Sequence, residues 1–260
     1  MKHKPVVVGV DGSPAADVAV RWGAIEAAAL RSPLHVVYAV PPGDSPSRAG
    51  DVIYKAVAQA RGLQPRIVID SRIESGSPSS ALVKASSSAA VVVIGSRGLG
   101  LMMGALVGST GLDLAANARC PVVVVRPDLG SMAGVRVVIG YDGSPASDTA
   151  LDFGLGYARR HDLAVRVVAA QPAGTDLHRI TEAELRAAVH ERGGHDAELI
   201  QITGHPAEHI LRLSADASLI VLGARGRGGF TGMLLGSVSQ TVLHHADCPV
   251  AVIPAAATGG

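Results

Sequence analysis

Two stretches of this 260-residue chain space glycine and serine in a way that suits an anion. In the first, Gly95 and Gly98 are followed after nine residues by Gly108 and Ser109. In the second, Gly223, Gly226, Gly236 and Ser237 repeat the same spacing. The leading glycines stand at the exit of an apolar run, where the chain leaves a sheet. Glycine there allows positive φ and lets backbone N–H groups approach a ligand closely. The Gly-Ser pair opens a helix, whose free N–H groups and dipole favour negative charge. Each stretch can therefore cradle phosphate without a lysine.

A second motif accompanies each cradle. Residues 8–15, Val-Gly-Val-Asp-Gly-Ser-Pro-Ala, recur at 139–146 as Ile-Gly-Tyr-Asp-Gly-Ser-Pro-Ala. Cys120-Pro121-Val122 likewise recurs as Cys248-Pro249-Val250. Motifs in the same order in both halves predict two tandem copies of one unit, 1–130 and 131–260, joined near the Pro, Gly and Ser residues of 127–134. Asp11 and Asp142 fit a turn and helix cap. The two cysteines read as buried reduced thiols.

The elements that position these motifs alternate. Runs 5–10, 34–40, 66–70, 90–95 and 122–126 are short and rich in Val and Ile, as strands buried on both faces are. Helical patterns cover 14–31, 48–62, 78–87 and 109–118. In the first of these Val18, Trp22, Ile25 and Ala29 recur at helical spacing and Pro14 suits the first turn. The second half repeats the order, with strands near 135–141, 164–170, 198–202, 219–223 and 250–253. Such alternation predicts an α/β fold of two doubly wound domains, each a parallel sheet with helices on both faces. Sheets of this kind bind ligands beyond the carboxyl ends of their strands, at the switch point.

Composition narrows the function. Lys and Arg number 23 against 22 Asp and Glu, a balance that disfavours bulk nucleic acid or an anionic membrane as partner. Aromatic residues at 3% leave little for base-stacking platforms. No apolar run approaches the ~20 residues of a membrane span, and residues 1–5 lack a signal-peptide core, so a cytoplasmic location is expected. No Gly precedes Lys-Ser or Lys-Thr, no Gly-x-Gly-x-x-Gly follows the first run, and neither half contains Gly-x-Ser-x-Gly. His244 and His245 near Asp247 read as surface helix residues, since adjacent helical positions point apart. No catalytic residue or metal ligand is assigned.

The Gly-x-x-Gly-x₉-Gly-Ser loop, together with Asp after the first strand, resembles the ATP-binding class of the universal stress proteins, twice over and across nearly the whole chain. That resemblance implies a five-stranded sheet of order 3-2-1-4-5 in each half. It also implies ATP across the strand ends, two per chain, accompanied by Mg²⁺. By position, Gly9, Val10 and Asp11 would contact adenine and ribose, with Ala39 lining the base pocket. Gly95, Ser96, Arg97, Gly98, Leu99, Gly100 and Leu101, with Gly108, Ser109 and Thr110, would hold ribose and phosphates. In the second half the matching residues are Gly140, Tyr141, Asp142 and Ala170, then Gly223, Ala224, Arg225, Gly226, Arg227, Gly228 and Gly229, then Gly236, Ser237, Val238 and Ser239. In this family the last strand pairs two domains, so 122–125 and 250–253 would pair the halves, or two chains in a homodimer. The function implied is a nucleotide-dependent stress or dormancy regulator acting on a protein partner. The alternatives are a slow ATP hydrolase, or an interaction module holding another adenine nucleotide. Three departures set the halves apart. Tyr141 stands for Val10, Arg227 for Leu99, and Val238 for Thr110. Arg227 is expected to strengthen pairing with phosphate in the second site.

Overall fold

The computed structural model describes residues 3–40, 47–96, 107–127, 134–171, 179–227 and 235–254. The chain divides into two compact units, Met1–Leu129 and Gly130–Gly260.

In the first unit β1 (Val6–Gly9), α1 (Pro14–Leu30), β2 (Leu34–Val40), α2 (Ser47–Leu63), β3 (Ile69–Ser75), α3 (Pro78–Ser86), β4 (Val91–Gly95), α4 (Ser109–Asn117) and β5 (Val122–Val125) alternate. The strands lie in the order β3-β2-β1-β4-β5 and every pairing is parallel. From β1 the chain steps twice toward β3, then returns past β1 and steps twice the other way. Right-handed crossovers therefore put α1 and α2 on one face and α3 and α4 on the other. The contacts α1 with α2 and α3 with α4 agree.

The second unit repeats this plan. It runs β6 (Arg136–Gly140), α5 (Pro145–His161), β7 (Ala164–Gln171), α6 (Glu182–His190), β8 (Glu198–Thr203), α7 (Pro206–Arg212), β9 (Ala217–Gly223), α8 (Ser237–His245) and β10 (Val250–Ile253). Its parallel order is β8-β7-β6-β9-β10. The expected doubly wound sheets of order 3-2-1-4-5 are present in both units.

Burial explains which strands the apolar runs marked well. Val6 to Val8, Val91 to Val93 and Val122 to Val125 are shielded on both faces. The run at 66–70 misled. Residues 65–67 form a turn and bend, and β3 begins at Ile69 and continues through polar Ser71, Arg72 and Glu74. The pairing Leu34 with Ile69 through Val40 with Ser75 fixes that register. As the last strand of its sheet β3 is largely exposed, so it needs no continuous apolar run, and its charges blunt an open edge. Among the described residues no helix is long and apolar enough to cross a membrane.

Cys120 and Cys248 each stand just before a final strand, buried and not joined in a disulfide. Burial pushes the Cys120 thiol up to about 12, so almost none is thiolate near neutrality. Ellman's reagent at pH 8 should leave both cysteines untouched in the native protein and titrate two thiols after denaturation. Rapid native reaction would show that these sites open.

Candidate functional site

The crevice in each unit is built by chain direction. β1 leads toward β2 and β4 toward β5, so the connections part at the carboxyl ends of β1 and β4. At that edge the Val10 N–H donates to the Val37 carbonyl (2.9 Å), which carries the β1–β2 ladder one residue beyond the strand. Asp11 then turns the chain. Its Oδ1 accepts the Ser13 N–H (2.9 Å), Gly12 takes φ 83°, and the Ser13 hydroxyl caps α1 by accepting the Ala16 N–H (3.2 Å). Asp142, Gly143 (φ 70°) and Ser144 do the same before α5, with Asp142 Oδ1 accepting the Ser144 N–H at 3.0 Å. The Asp-Gly-Ser-Pro motif is thus an Asx turn feeding a capped helix whose first turn carries proline.

Gly95 and Gly223 have a packing reason. A Cβ on Gly95 would lie 2.6 Å from Ala15 Cβ and 2.7 Å from its carbonyl carbon. A Cβ on Gly223 would lie 2.9 Å from Ala146 Cβ. The first turn of α1 or α5 rests directly on the end of the neighbouring strand. Both ends of the cradle are also tied. The Gly108 N–H donates to the Ser96 carbonyl, and the Gly236 N–H to the Ala224 carbonyl, each at 2.8 Å. These bonds hold the start of α4 or α8 beside the exit of β4 or β9.

The helix starts differ in an informative way. α1, α3, α5 and α6 are each capped by a Ser or Thr side chain. α4 and α8 begin at Gly108 and Gly236 with no side-chain cap. Their first turns, with the positive end of the helix dipole, stand beside the strand exits, an arrangement that can accept an anion. Ser109 and Ser237 are exposed there and Thr110 and Val238 half-buried, whereas Ser239 is buried and its hydroxyl donates to the Gly223 carbonyl (2.6 Å). The Ser96 hydroxyl, at the exit of β4, is buried without a partner among the described residues. Ala39 lies in β2 beyond Val37, and Ala170 in β7 beyond Val168, at the same edge.

The structure thus brings Gly9, Val10, Asp11, Ala39, Gly95, Ser96, Gly108, Ser109 and Thr110 to the carboxyl edge of the first sheet. It does so for their counterparts in the second. Arg97, Gly98, Leu99, Gly100, Leu101, Gly228 and Gly229 lie outside the described residues. Arg225 is exposed, and its carbonyl accepts the Ser144 hydroxyl (3.4 Å). Arg227 is exposed as well and folds back over the aspartate turn. Its N–H donates to Asp142 Oδ2 and its Nη2 to the Gly143 carbonyl, both at 2.9 Å.

Residues outside the motifs complete the picture. In the second unit the Tyr141 hydroxyl donates to Asp148 Oδ1 (3.1 Å), and Arg192 pairs with Asp148 (3.2 Å) and Asp152 (3.1 Å). In the first unit the matching Val10 and Asp17 line an open cleft of about 270 Å³ with Arg48, Val52 and Lys55. Lys55 pairs with Asp17 at 2.6 Å. The repeat itself could have revealed the aspartates, since Asp-Gly-Ser-Pro-Ala-x-Asp runs through both Asp17 and Asp148. Burial, then the charge and hydrogen bond of Asp148, push the Tyr141 phenol up to about 12.

The model of the universal stress protein family matches residues 2–126 and 135–254. A universal stress protein of Mycobacterium tuberculosis is 34% identical to this chain, over 96% of the chain and 97% of the relative. A solved universal stress protein from Archaeoglobus fulgidus shares the fold, with a TM-score of 0.78 at 20% identity over 98% of this chain and 100% of its own. A further Archaeoglobus fulgidus universal stress protein, solved in complex with dAMP, is 26% identical over 48% of this chain and 98% of its own, with a TM-score of 0.41.

Two outcomes test this geometry. Gly95→Ala should destabilise the first unit by about 1–3 kcal/mol, the usual cost of overpacking, read as a lower melting temperature. An unchanged melting temperature would mean that α1 does not seat on β4. Ultraviolet titration should find one tyrosine ionising near 12, well above the ordinary 10.0. Asp148→Asn should bring it down, because a neighbouring negative charge is removed. The folded phenol holds its proton more tightly than the unfolded one, so its contribution to stability is whole below about pH 10 and lost as pH rises toward about 12.

Proposed function

The chain belongs to the universal stress protein family, and from that premise we propose that each unit binds an adenine nucleotide, ATP carried with Mg²⁺, as the input of a cytoplasmic stress or dormancy regulator. The observation that carries this reading is the pair of uncapped helix starts. α4 and α8 lack the side-chain cap of α1, α3, α5 and α6, and, unlike α7, which is also without one, each starts at a glycine tied by one backbone bond beside an aspartate turn.

The parts divide the ligand between them. First-turn N–H groups of α4 or α8 receive phosphate oxygens. Asp11 or Asp142 accepts ribose hydroxyls, as an ionised carboxylate can accept several hydrogen bonds at once. Val10 and Ala39, or Tyr141 and Ala170, border the base. The buried Ser96 hydroxyl supports a polar ligand group at the first site. Mg²⁺ would travel on the triphosphate, held through phosphate oxygens and water. Regulation then requires that nucleotide bind two states of the protein unequally, because only differential affinity shifts a population.

The test is to denature freshly purified protein and identify and count the nucleotide released. ATP should appear, with the ratio approaching two per chain once ATP is in excess. An ATP concentration about 100-fold above Kd should stabilise the folded protein by about 2.7 kcal/mol. Released ADP together with phosphate turnover would move the reading to a slow hydrolase. No released nucleotide and no thermal shift with added ATP would overturn it.

A further inference from the structure

We propose that Arg227 is an intramolecular occupant of the second unit's site, so that the first unit takes nucleotide first and the second takes it only as this guanidinium is displaced. The inference rests on the nucleotide reading above and adds an order of filling.

The geometry around Asp142 carries it. This is the carboxylate assigned to the sugar, and the Arg227 backbone N–H already donates to its Oδ2 at 2.9 Å. The side chain then folds back across the same turn, with Nη2 on the Gly143 carbonyl at 2.9 Å. A Cβ on Gly226 would meet Asp142 Oδ2, and one on Gly143, which takes φ 70°, would meet the end of the Arg227 side chain. The guanidinium thus lies against the turn that would receive the ribose. A cation with a fixed fork of donors is well suited to hold such a place.

Leu99, at the sequence position that matches Arg227, has no donor on its side chain. The first unit's turn is approached instead by Arg48 of α2, whose Nη2 would lie 3.5 Å from a Cβ on Gly12, farther off than Arg227 is from Gly143. A second difference points the same way. Tyr141 reaches from the end of β6 to Asp148, spanning the two positions that line an open cleft in the first unit as Val10 and Asp17. In the second unit the chain's own side chains therefore lie on both sides of Asp142.

The experiment measures MgATP binding to the full chain by equilibrium dialysis. It compares the natural sequence, Arg227→Leu, Asp11→Ala, and the double variant. Asp11→Ala weakens the first unit and isolates the second. The natural chain should show two classes of site, and Asp11→Ala should abolish the tighter one. Adding Arg227→Leu in that background should tighten the remaining site about five- to tenfold, the effect of one exposed charge-assisted hydrogen bond no longer competing. Without nucleotide, amide exchange at Gly143 and Ser144 should quicken in Arg227→Leu, a readout independent of any ligand. Weaker or unchanged binding at the second site on Arg227→Leu would overturn the proposal and make the arginine a ligand contact or a bystander. Loss of the weaker class in Asp11→Ala would overturn it too. Absence of MgATP binding in all four proteins would instead overturn the nucleotide reading on which it stands.

Discussion

At the carboxyl edge of each sheet a helix begins directly against the last residue of the strand beside it. Ala15 touches Gly95, and Ala146 touches Gly223, at distances that leave no room for a Cβ. That contact constrains everything near it. It brings the turn after the first strand alongside the exit of the fourth, and those are the two points at which the crossovers part. The aspartate turn and the uncapped helix start face one crevice only because α1 and α5 are seated this far down. A side chain at either glycine would lift the helix and widen the gap between the aspartate turn and the helix start.

The packing below the edge makes so tight an approach affordable. β1, β4 and β5 are buried on both faces, as are β6, β9 and β10 through most of their length. Parallel strands covered by helices on both sides exclude water from the ladder, so their backbone geometry is held by many mutually supporting bonds. The outer strand β3 is polar and largely exposed, and β8 alternates half-buried apolar with exposed polar residues. Rigidity is concentrated where the ligand groups converge.

Much of this was legible in the sequence, and the exceptions have physical causes. The alternation of Val-rich runs with capped helical patterns fixed element type and order, because buried parallel strands leave a plain apolar signature. It failed at β3, where an edge strand carries no such signature and a nearby apolar run, 66–70, competed for the assignment. The glycine spacing marked the strand exits and the helix starts, but spacing alone does not say why a glycine is present. Gly95 and Gly223 turn out to admit a helix, and Gly226 admits the Asp142 carboxylate. The Tyr141–Asp148–Arg192 cluster was half visible. Asp148 repeats Asp17, whereas Arg192 and Lys55 come from parts of the two units that do not match, so only folding brings them to those aspartates.

Duplication supplies the setting for the difference between the units. Two copies of one fold begin with the same Asp turn, the same strand-end glycine and the same uncapped helix, and these have been kept in both halves. The substitutions that distinguish the site border that frame without altering it. Tyr141 grows from the position next to the turn, and Arg227 from the loop that crosses it. Each side chain finds its partner on a scaffold element that both units possess, Asp148 on α5 and the Gly143 carbonyl in the turn. A change of that kind costs the fold little, since it occupies a crevice rather than a core. It still alters what a ligand must displace to enter. One scaffold can in this way carry two sites of different readiness within a single chain.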